Sequence, residues 1–109
     1  MPTEFKTLNT GTISSGSSAE KKWSPNKDIT IKKVMLIERD DKSLSNVKVY
    51  ISVGGVPYTK DYVPGSAIGS DPEYCYKPNI RVTKGSEIYF KIENNRTDSV
   101  NIDIVFEYE

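Results

Sequence analysis

The chain uses β-branched residues where a helical protein would use Leu and Ala. Ile and Val together number 20, whereas Leu and Ala together number five. β-branched side chains are restricted at χ1 and fit the half-buried surface of a sheet, while Ala and Leu are the strongest helix formers. This bias predicts an all-β protein.

The length and charge of the chain narrow its possible partners. Its 109 residues correspond to one small domain, and 15 basic and 15 acidic residues give a net charge of zero. Nucleic-acid-binding domains usually carry a basic face, so we expect no nucleic acid partner. No apolar run reaches the length of a membrane span, and the first residues lack the pattern of a secretory signal, so we expect neither a transmembrane segment nor a signal peptide.

One residue type on which many catalytic sites depend is missing. The chain has no His, which excludes Ser-His-Asp and Cys-His catalysis, and Cys75 is the single cysteine. The acidic residues of the loops have no recognised calcium-ligand spacing, and no pattern places two of them across a cleft. We therefore expect no enzyme activity, no metal and no cofactor, and interpret these residues as solvated charges: Asp40, Asp41, Asp61, Asp71 and Glu73.

Apolar residues alternate with polar ones along several short segments, which is the pattern of half-buried strands. The alternation changes parity at Lys32-Lys33, which predicts a bulge. Gly54-Gly55 predicts a tight hairpin, and Pro57 in the return strand predicts a sheet edge, since proline cannot donate to a strand ladder. The residues predicted to form the core are Ile31, Val49, Ile51, Ile88, Phe90, Ile92, Ile102, Ile104 and Phe106.

These segments predict an antiparallel β-sandwich of seven or eight strands, wound as a single jelly roll. Residues 1–22 are rich in Ser, Thr and Gly and poor in aliphatic residues. They are predicted to form a flexible N-terminal arm, with room for one short strand around Thr10 to Ser14, ahead of a sandwich domain at residues 23–109. Such an arm would serve assembly rather than stability, by adding as a strand to a neighbour's sheet.

Exposed aromatic residues are the best candidates for contacts with a partner, because they supply rigid contact area at low entropic cost. Several fall in or beside a long loop at residues 64–79, and loops of this length are often functional. Their alternative role is to cover the open end of a small core. The interface candidates are Leu8, Ile13, Trp23, Pro57, Tyr58, Tyr62, Tyr74 and Tyr76. Asn95 begins an N-x-T sequon on a predicted hairpin tip, so it is a possible glycosylation site.

The order of these features resembles a known group of proteins. An N-terminal Ser/Gly segment precedes W-x-P-N-x-D-I-T-I-K-K-V and a Gly-Gly hairpin. A Pro-rich loop, V-T-K-G-S-E-I-Y-F-K-I-E-N and V-N-I-D-I-V-F-E-Y follow. This outline resembles the small jelly-roll structural proteins of prokaryotic icosahedral viruses, including archaeal viruses. The resemblance implies a capsid, vertex or turret subunit located in the virion.

Two functions from different classes stay open. In the first, the chain is a virion structural subunit that binds itself and other capsid proteins through its arm, its edge strands and the 64–79 loop. In the second, it is a carbohydrate-binding or host-attachment module that stacks glycans on Trp23 or the loop tyrosines. Mass in solution separates them, because a subunit assembles whereas a sugar-binding module stays a compact monomer.

Overall fold

Alternating apolar residues build the strands, and neighbouring polar segments build the turns. The computed structural model describes residues 3–59, 63–71 and 73–109, and within that part of the chain it contains nine strands and one helix of a single turn. The strands are β1 Glu4–Ile13, β2 Ser18–Trp23, β3 Ile29–Glu38, β4 Val47–Val53, β5 Val56–Pro57, β6 Val63–Pro64, β7 Ile80–Val82, β8 Ile88–Asn94 and β9 Val100–Tyr108. The helix α1 is Gly65–Ile68.

The strands form two antiparallel sheets that pack as a sandwich. The four-stranded sheet has the order β1-β9-β3-β7. The five-stranded sheet has the order β2-β8-β4-β5, and β6 also pairs with β4. The predicted all-β antiparallel sandwich is confirmed. The number of strands is nine rather than seven or eight, partly because the predicted return strand after Gly54-Gly55 consists of two short strands, β5 and β6.

The core lies between the sheets and is made almost entirely of aliphatic side chains. All nine residues predicted to form it are buried, with exposed fractions of 2% or less. Phe90 of the five-stranded sheet and Phe106 of the four-stranded sheet meet edge to face, with ring centroids 6.2 Å apart. Period-2 alternation therefore identified the inward face of each of these strands correctly.

A bulge in β3 and a tight turn after β4 lie where the sequence predicts them. The pairing of β3 with β9 shifts register between Ile31 and Lys33, as the parity change at the lysine pair predicts. Gly54 and Gly55 both have positive φ, 58° and 83°, and close the hairpin from β4 to β5. β5 ends the order of its sheet, which confirms the edge position expected from Pro57.

Most of the segment expected to be a flexible arm is instead paired strand. β1 pairs with β9 from Glu4 opposite Tyr108 to Ile13 opposite Val100, and β2 pairs with β8 along its whole length. Trp23, expected to begin the sandwich, ends β2. β1 and β2 are edge strands, and an edge strand buries only part of its surface. Because β9 pairs with β1 and β8 pairs with β2 through backbone hydrogen bonds, a few aliphatic side chains are enough to keep each strand in its sheet.

Candidate interaction surfaces

The outer face of the four-stranded sheet carries a short apolar row between two ion pairs. Thr7 and Met35 both lie opposite Val105, and Phe5 and Ile37 lie at diagonal corners around that row. Phe5 is 61% exposed and Ile37 is 41% exposed. Two ion pairs with β9 flank the row: Lys33 of β3 lies 3.9 Å from Glu107, and Arg39, which directly follows β3, lies 3.1 Å from Asp103. Neither Phe5 nor Ile37 was among the interface candidates.

The ion pair at one end of this row is reinforced by an amide. The Arg39 guanidinium donates to both carboxylate oxygens of Asp103, and the Asn9 side chain donates to the same carboxylate at 2.9 Å. Hydrogen bonds from Arg39 and then from Asn9, with the Arg39 charge, lower the pKa of Asp103 despite its partial burial. The carboxylate therefore stays charged and keeps this corner polar.

Within the part of the chain that the structure describes, β1 is an edge strand of the four-stranded sheet, with unpaired backbone groups over a regular stretch. Thr30 and Glu109 exchange two backbone hydrogen bonds, so Glu109 faces β3 and the preceding residue, Tyr108, faces β1. Glu4, which lies opposite Tyr108, therefore bonds to β9. By the same alternation, the N–H and C=O groups of Phe5 and Thr7 point away from the sheet.

The second half of β1 is irregular, and side chains fill the gap in its ladder. The register shifts between Asn9 and Thr12. The Ile102 N–H donates to the Thr10 hydroxyl at 3.2 Å, and the Gly11 N–H donates to the Asn9 side-chain oxygen at 2.9 Å. A bulge of this kind turns an edge strand away from a new partner. The regular, accessible part of the edge is therefore Glu4–Leu8.

The segment 64–79, predicted to be a long loop, covers the other edge of the four-stranded sheet, along β3. The segment contains α1, and the Tyr76 C=O accepts a hydrogen bond from the Val34 N–H while the Gly69 C=O accepts one from the Leu36 N–H. These bonds occupy the backbone groups of β3 that β7, only three residues long, leaves uncovered. The loop is thus partly structural, and it closes a sheet edge.

The aromatic candidates of this region differ in exposure. Tyr74 is 82% exposed and Tyr58 is 43% exposed, so both are available to a partner. Tyr76 packs against the core, and burial, followed by the nearby Tyr58, raises the pKa of its hydroxyl. Pro57 is exposed on β5 beside Val56, which is 58% exposed. Tyr62 lies outside the described residues.

Trp23 forms the floor of a cleft at one end of the sandwich. Its ring centroid lies 5.6 Å from that of Phe106 and 5.2 Å from that of Tyr108. The Lys6 ammonium lies 6.0 Å from the Trp23 ring centroid, at the outer limit of a cation–π contact. The cleft has a volume of about 270 Å³ and is lined by Lys6, Trp23, Ser24, Pro25, Asn26, Lys27, Ile29 and Tyr108.

A carboxylate joins the rim of this aromatic cleft to the rest of β1. One oxygen of Glu4 accepts a hydrogen bond from the Tyr108 hydroxyl at 2.8 Å, and the other lies 3.3 Å from the Lys27 ammonium. The Tyr108 bond comes first among the causes that lower the pKa of Glu4, followed by Lys27. The cleft therefore combines aromatic rings with hydrogen-bond donors and acceptors held in place, and binding sites for small polar ligands have this combination.

Two interface candidates are not free to bind a partner. Ile13 is 2% exposed and belongs to the core, and Leu8 is partly buried against it.

Asn95, the possible glycosylation site, is exposed beside the turn between β8 and β9, and its backbone N–H donates to the Asn46 C=O. Cys75 is partly buried.

A buried carboxylate that the sequence did not single out holds the end of β3. Glu38 is 5% exposed, and its two oxygens accept hydrogen bonds from the N–H groups of Asp40, Lys42 and Asn101. Burial raises the pKa of Glu38, but these three donors and the Lys42 charge outweigh burial, and the pKa lies below its ordinary value. The cluster is structural, because every oxygen faces backbone of its own fold.

The described residues offer neither a metal cluster nor a membrane-spanning helix. No three His, Cys, Asp or Glu side chains among residues 3–59, 63–71 and 73–109 come together in a way that could hold a metal ion. In the same part of the chain, no helix has the length and apolar character needed to cross a membrane. Of the acidic loop residues, Asp61 lies outside the described part.

Comparison with known proteins gives a likeness of fold alone. No family model matches the chain, and no curated protein matches it. Among solved structures it is similar to the Drosophila NLP core, whose structure is described for its insight into pentamer formation and histone binding. The similarity covers 96% of this chain and 97% of that chain, with 16% sequence identity and a TM-score of 0.48. We draw no functional argument from a likeness at that level.

Proposed function

We propose that this chain is a non-enzymatic structural subunit of a virion, of the minor capsid, vertex or turret type, which binds copies of itself and other shell proteins. The observation that carries this proposal is the position of the exposed apolar side chains. Phe5 and Val56 lie on terminal strands of the two sheets, and Tyr58 and Tyr74 lie beside or within the 64–79 loop. Large apolar groups at sheet edges and loops suit contacts with other chains.

The winding of the strands supports a jelly roll, which is the fold that the viral resemblance implies. Counting β5 and β6 as one strand, the first strand pairs with the last, the second with the next to last, and so inward to β4. A nested set of four antiparallel pairs rolled into two sheets is the jelly-roll arrangement, and viral capsid and lectin domains both use it. Because one fold serves several functions, the surfaces must carry the rest of the argument.

One of the surfaces expected from the sequence, the N-terminal arm, is no longer available for assembly. Most of the expected arm is occupied within the chain's own sheets, so strand exchange through residues 1–22 is not part of the proposal. The remaining surfaces are the edge at β1, the edge carrying Pro57 and Tyr58, and the loop around Tyr74. Each is a strand edge or a loop, and these elements can bind another chain without opening the core.

Cross-linking mass spectrometry on particles from the native source tests this function. Lys77 is an exposed lysine in the loop, and we expect it to cross-link to other copies of the chain or to other shell proteins. The purified chain should also exceed its 12.3 kDa monomer mass in solution as concentration rises. A strict monomer that cross-links to no other protein in its native source would refute the proposal.

A glycan-binding function is the second candidate, and the aromatic cleft favours it. Trp23 and Tyr108 offer aromatic faces, and Asn26, Lys27 and Glu4 place polar groups at the rim, which is the combination that sugar rings require. A module of this kind would serve host attachment and would not need to assemble.

The single tryptophan makes the second candidate easy to test. Because Trp23 is the only tryptophan in the chain, its fluorescence reports on the cleft alone. Titration with neutral and acidic oligosaccharides should change that fluorescence, and Asn26→Ala should weaken the response, while Tyr74→Ser, which alters no residue of the cleft lining, should leave it unchanged. No response to any oligosaccharide would remove this candidate.

A further inference from the structure

The two sheets have four edges, and three of these edges carry features that resist a new partner. β2 carries Lys21 and Lys22, and β7 is three residues long. Beside β4, the two short strands each contain a proline, Pro57 in β5 and Pro64 in β6. Lysines, prolines and short length are the usual protections of a sheet edge. Glu4–Leu8 of β1 contains one lysine, Lys6, and among the described residues it is the longest regular edge stretch with neither a lysine pair nor a proline.

We infer that this edge pairs with the same edge of a second copy of the chain, with Phe5 opposite Phe5. The inference rests on the proposed function and names one surface for it. Antiparallel pairing across a two-fold axis normal to the sheet would join two four-stranded sheets into one sheet of eight strands. Self-pairing of one patch around a two-fold axis is the commonest form of soluble oligomer.

Backbone geometry allows this register. The N–H and C=O groups of Phe5 point away from β9, so two copies of Phe5 can exchange both of their backbone hydrogen bonds. Thr7 faces the same way, and in this register it lies opposite Thr3 of the second copy, which continues the ladder. The bulge that begins after Asn9 ends the pairing on each side.

Charge selects this register over its neighbours. With Phe5 opposite Phe5, Glu4 of each copy lies opposite Lys6 of the other, in the closely spaced type of antiparallel pair. Centring the pair on Lys6 instead would place two lysines opposite each other. Centring it on Thr7 would place Lys6 opposite Leu8 and bring no opposite charges together across the junction. Only the first register gives two ion pairs between the copies, in addition to the Glu4–Lys27 pair within each chain.

This register also brings exposed apolar side chains of the two copies into contact. Phe5 is 61% exposed on the outer face of the four-stranded sheet, and its ring would pack against its symmetry mate across the junction. The lysines on β2 keep the adjacent edges of the five-stranded sheets apart, so pairing is confined to the four-stranded sheet.

A charge swap with rescue tests the register. Glu4→Lys and Lys6→Glu each place like charges across the junction, and each should weaken self-association about tenfold or more in analytical ultracentrifugation. The double variant Glu4→Lys/Lys6→Glu restores opposite charges and should associate like the natural chain. Ile37→Lys, which removes an exposed apolar side chain elsewhere on the same face, should not change association.

A disulfide test fixes the register without altering Glu4, Phe5 or Lys6. In a Cys75→Ser background, Thr3→Cys/Thr7→Cys should form a covalent dimer on mild oxidation, because positions 3 and 7 lie opposite each other across the junction. Neither single variant should form a covalent dimer, since its two cysteines would be about 14 Å apart, beyond the reach of a disulfide.

The outcomes separate this inference from the proposed function. Self-association that survives both single charge swaps, or equal cross-linking of the single cysteine variants, would overturn the β1 register while leaving an assembling subunit. A natural chain that stays monomeric at all concentrations, yet cross-links to other shell proteins, would also overturn it. A chain that contacts no protein in its native source would overturn both.

Discussion

Single residues at the ends of strands hold this sandwich together, and Asn94 is the clearest example. It is fully buried, and its amide donates to the C=O groups of Ile13 and Asp98 while its oxygen accepts from the Arg96 N–H. One side chain thus joins the end of β1 to the turn between β8 and β9. Sequence reasoning passed over it because an Asn before a turn is ordinary, and only the fold places Ile13 beside it.

Asn94→Leu should therefore destabilise the fold by about 3 kcal/mol, because it leaves buried backbone groups without partners. Its neighbour provides a matched control: Asn95 is exposed, so Asn95→Ala should change the urea midpoint little. Equal midpoints for the two variants would show that the Asn94 side chain is not structural.

Glu38 gives a second test at this scale, one that depends on pH. In Glu38→Gln an amide group replaces one oxygen that accepts backbone N–H bonds, so we expect a loss of about 2 kcal/mol at pH 7. The folded pKa of Glu38 is lowered, so the carboxylate's contribution is complete above its unfolded pKa and fades as pH falls through the folded value. The stability gap to the variant should narrow near pH 3, and a constant gap would contradict this account.

At the scale of elements, residue pattern identified the strands that bury a full face and missed those that do not. β4, β8 and β9 alternate strictly because their inward residues face the core, and nearly all of these are apolar, the exception in β8 being Asn94 at its end. In β1, Phe5 faces outward and Leu8 inward, so the apolar residues show no single period. The free edge at β1 and exposed Phe5 could not be predicted, since they depend on pairing with β9, nearly 100 residues away in sequence.

Adjacent residues of β1 test whether this strand is part of the fold. Ile13 is 2% exposed, so Ile13→Ala should cost about 2–5 kcal/mol, whereas Thr12→Ala at its exposed neighbour should cost about 0.5 kcal/mol or less. Urea denaturation of both variants measures the difference. If residues 1–22 formed a flexible arm, neither substitution would change stability, and that result would contradict the pairing described above.

At the scale of the whole molecule, titration depends on carboxylates alone over the acidic range. The chain has no His, so no side chain with an ordinary pKa changes charge between about pH 5.5 and 7. Among residues 3–59, 63–71 and 73–109, in contrast, four carboxylates have lowered pKa values because of hydrogen bonds or nearby cations, and they are Glu4, Glu38, Asp98 and Asp103.

The sign of the pH effect follows from these shifts. A carboxylate whose folded pKa is lowered contributes stability that is complete above its unfolded pKa, near 4.5 or below, and is lost as pH falls through the folded value. Protonation also removes the negative charges that balance 15 basic residues, so repulsion grows in the same range. We expect equal urea midpoints at pH 7 and 5.5 and a much lower midpoint at pH 3. A clear fall between pH 7 and 5.5 would contradict this, because a lowered folded pKa costs stability only as pH approaches the unfolded pKa, and the unfolded pKa values of these four carboxylates lie near 4.5 or below.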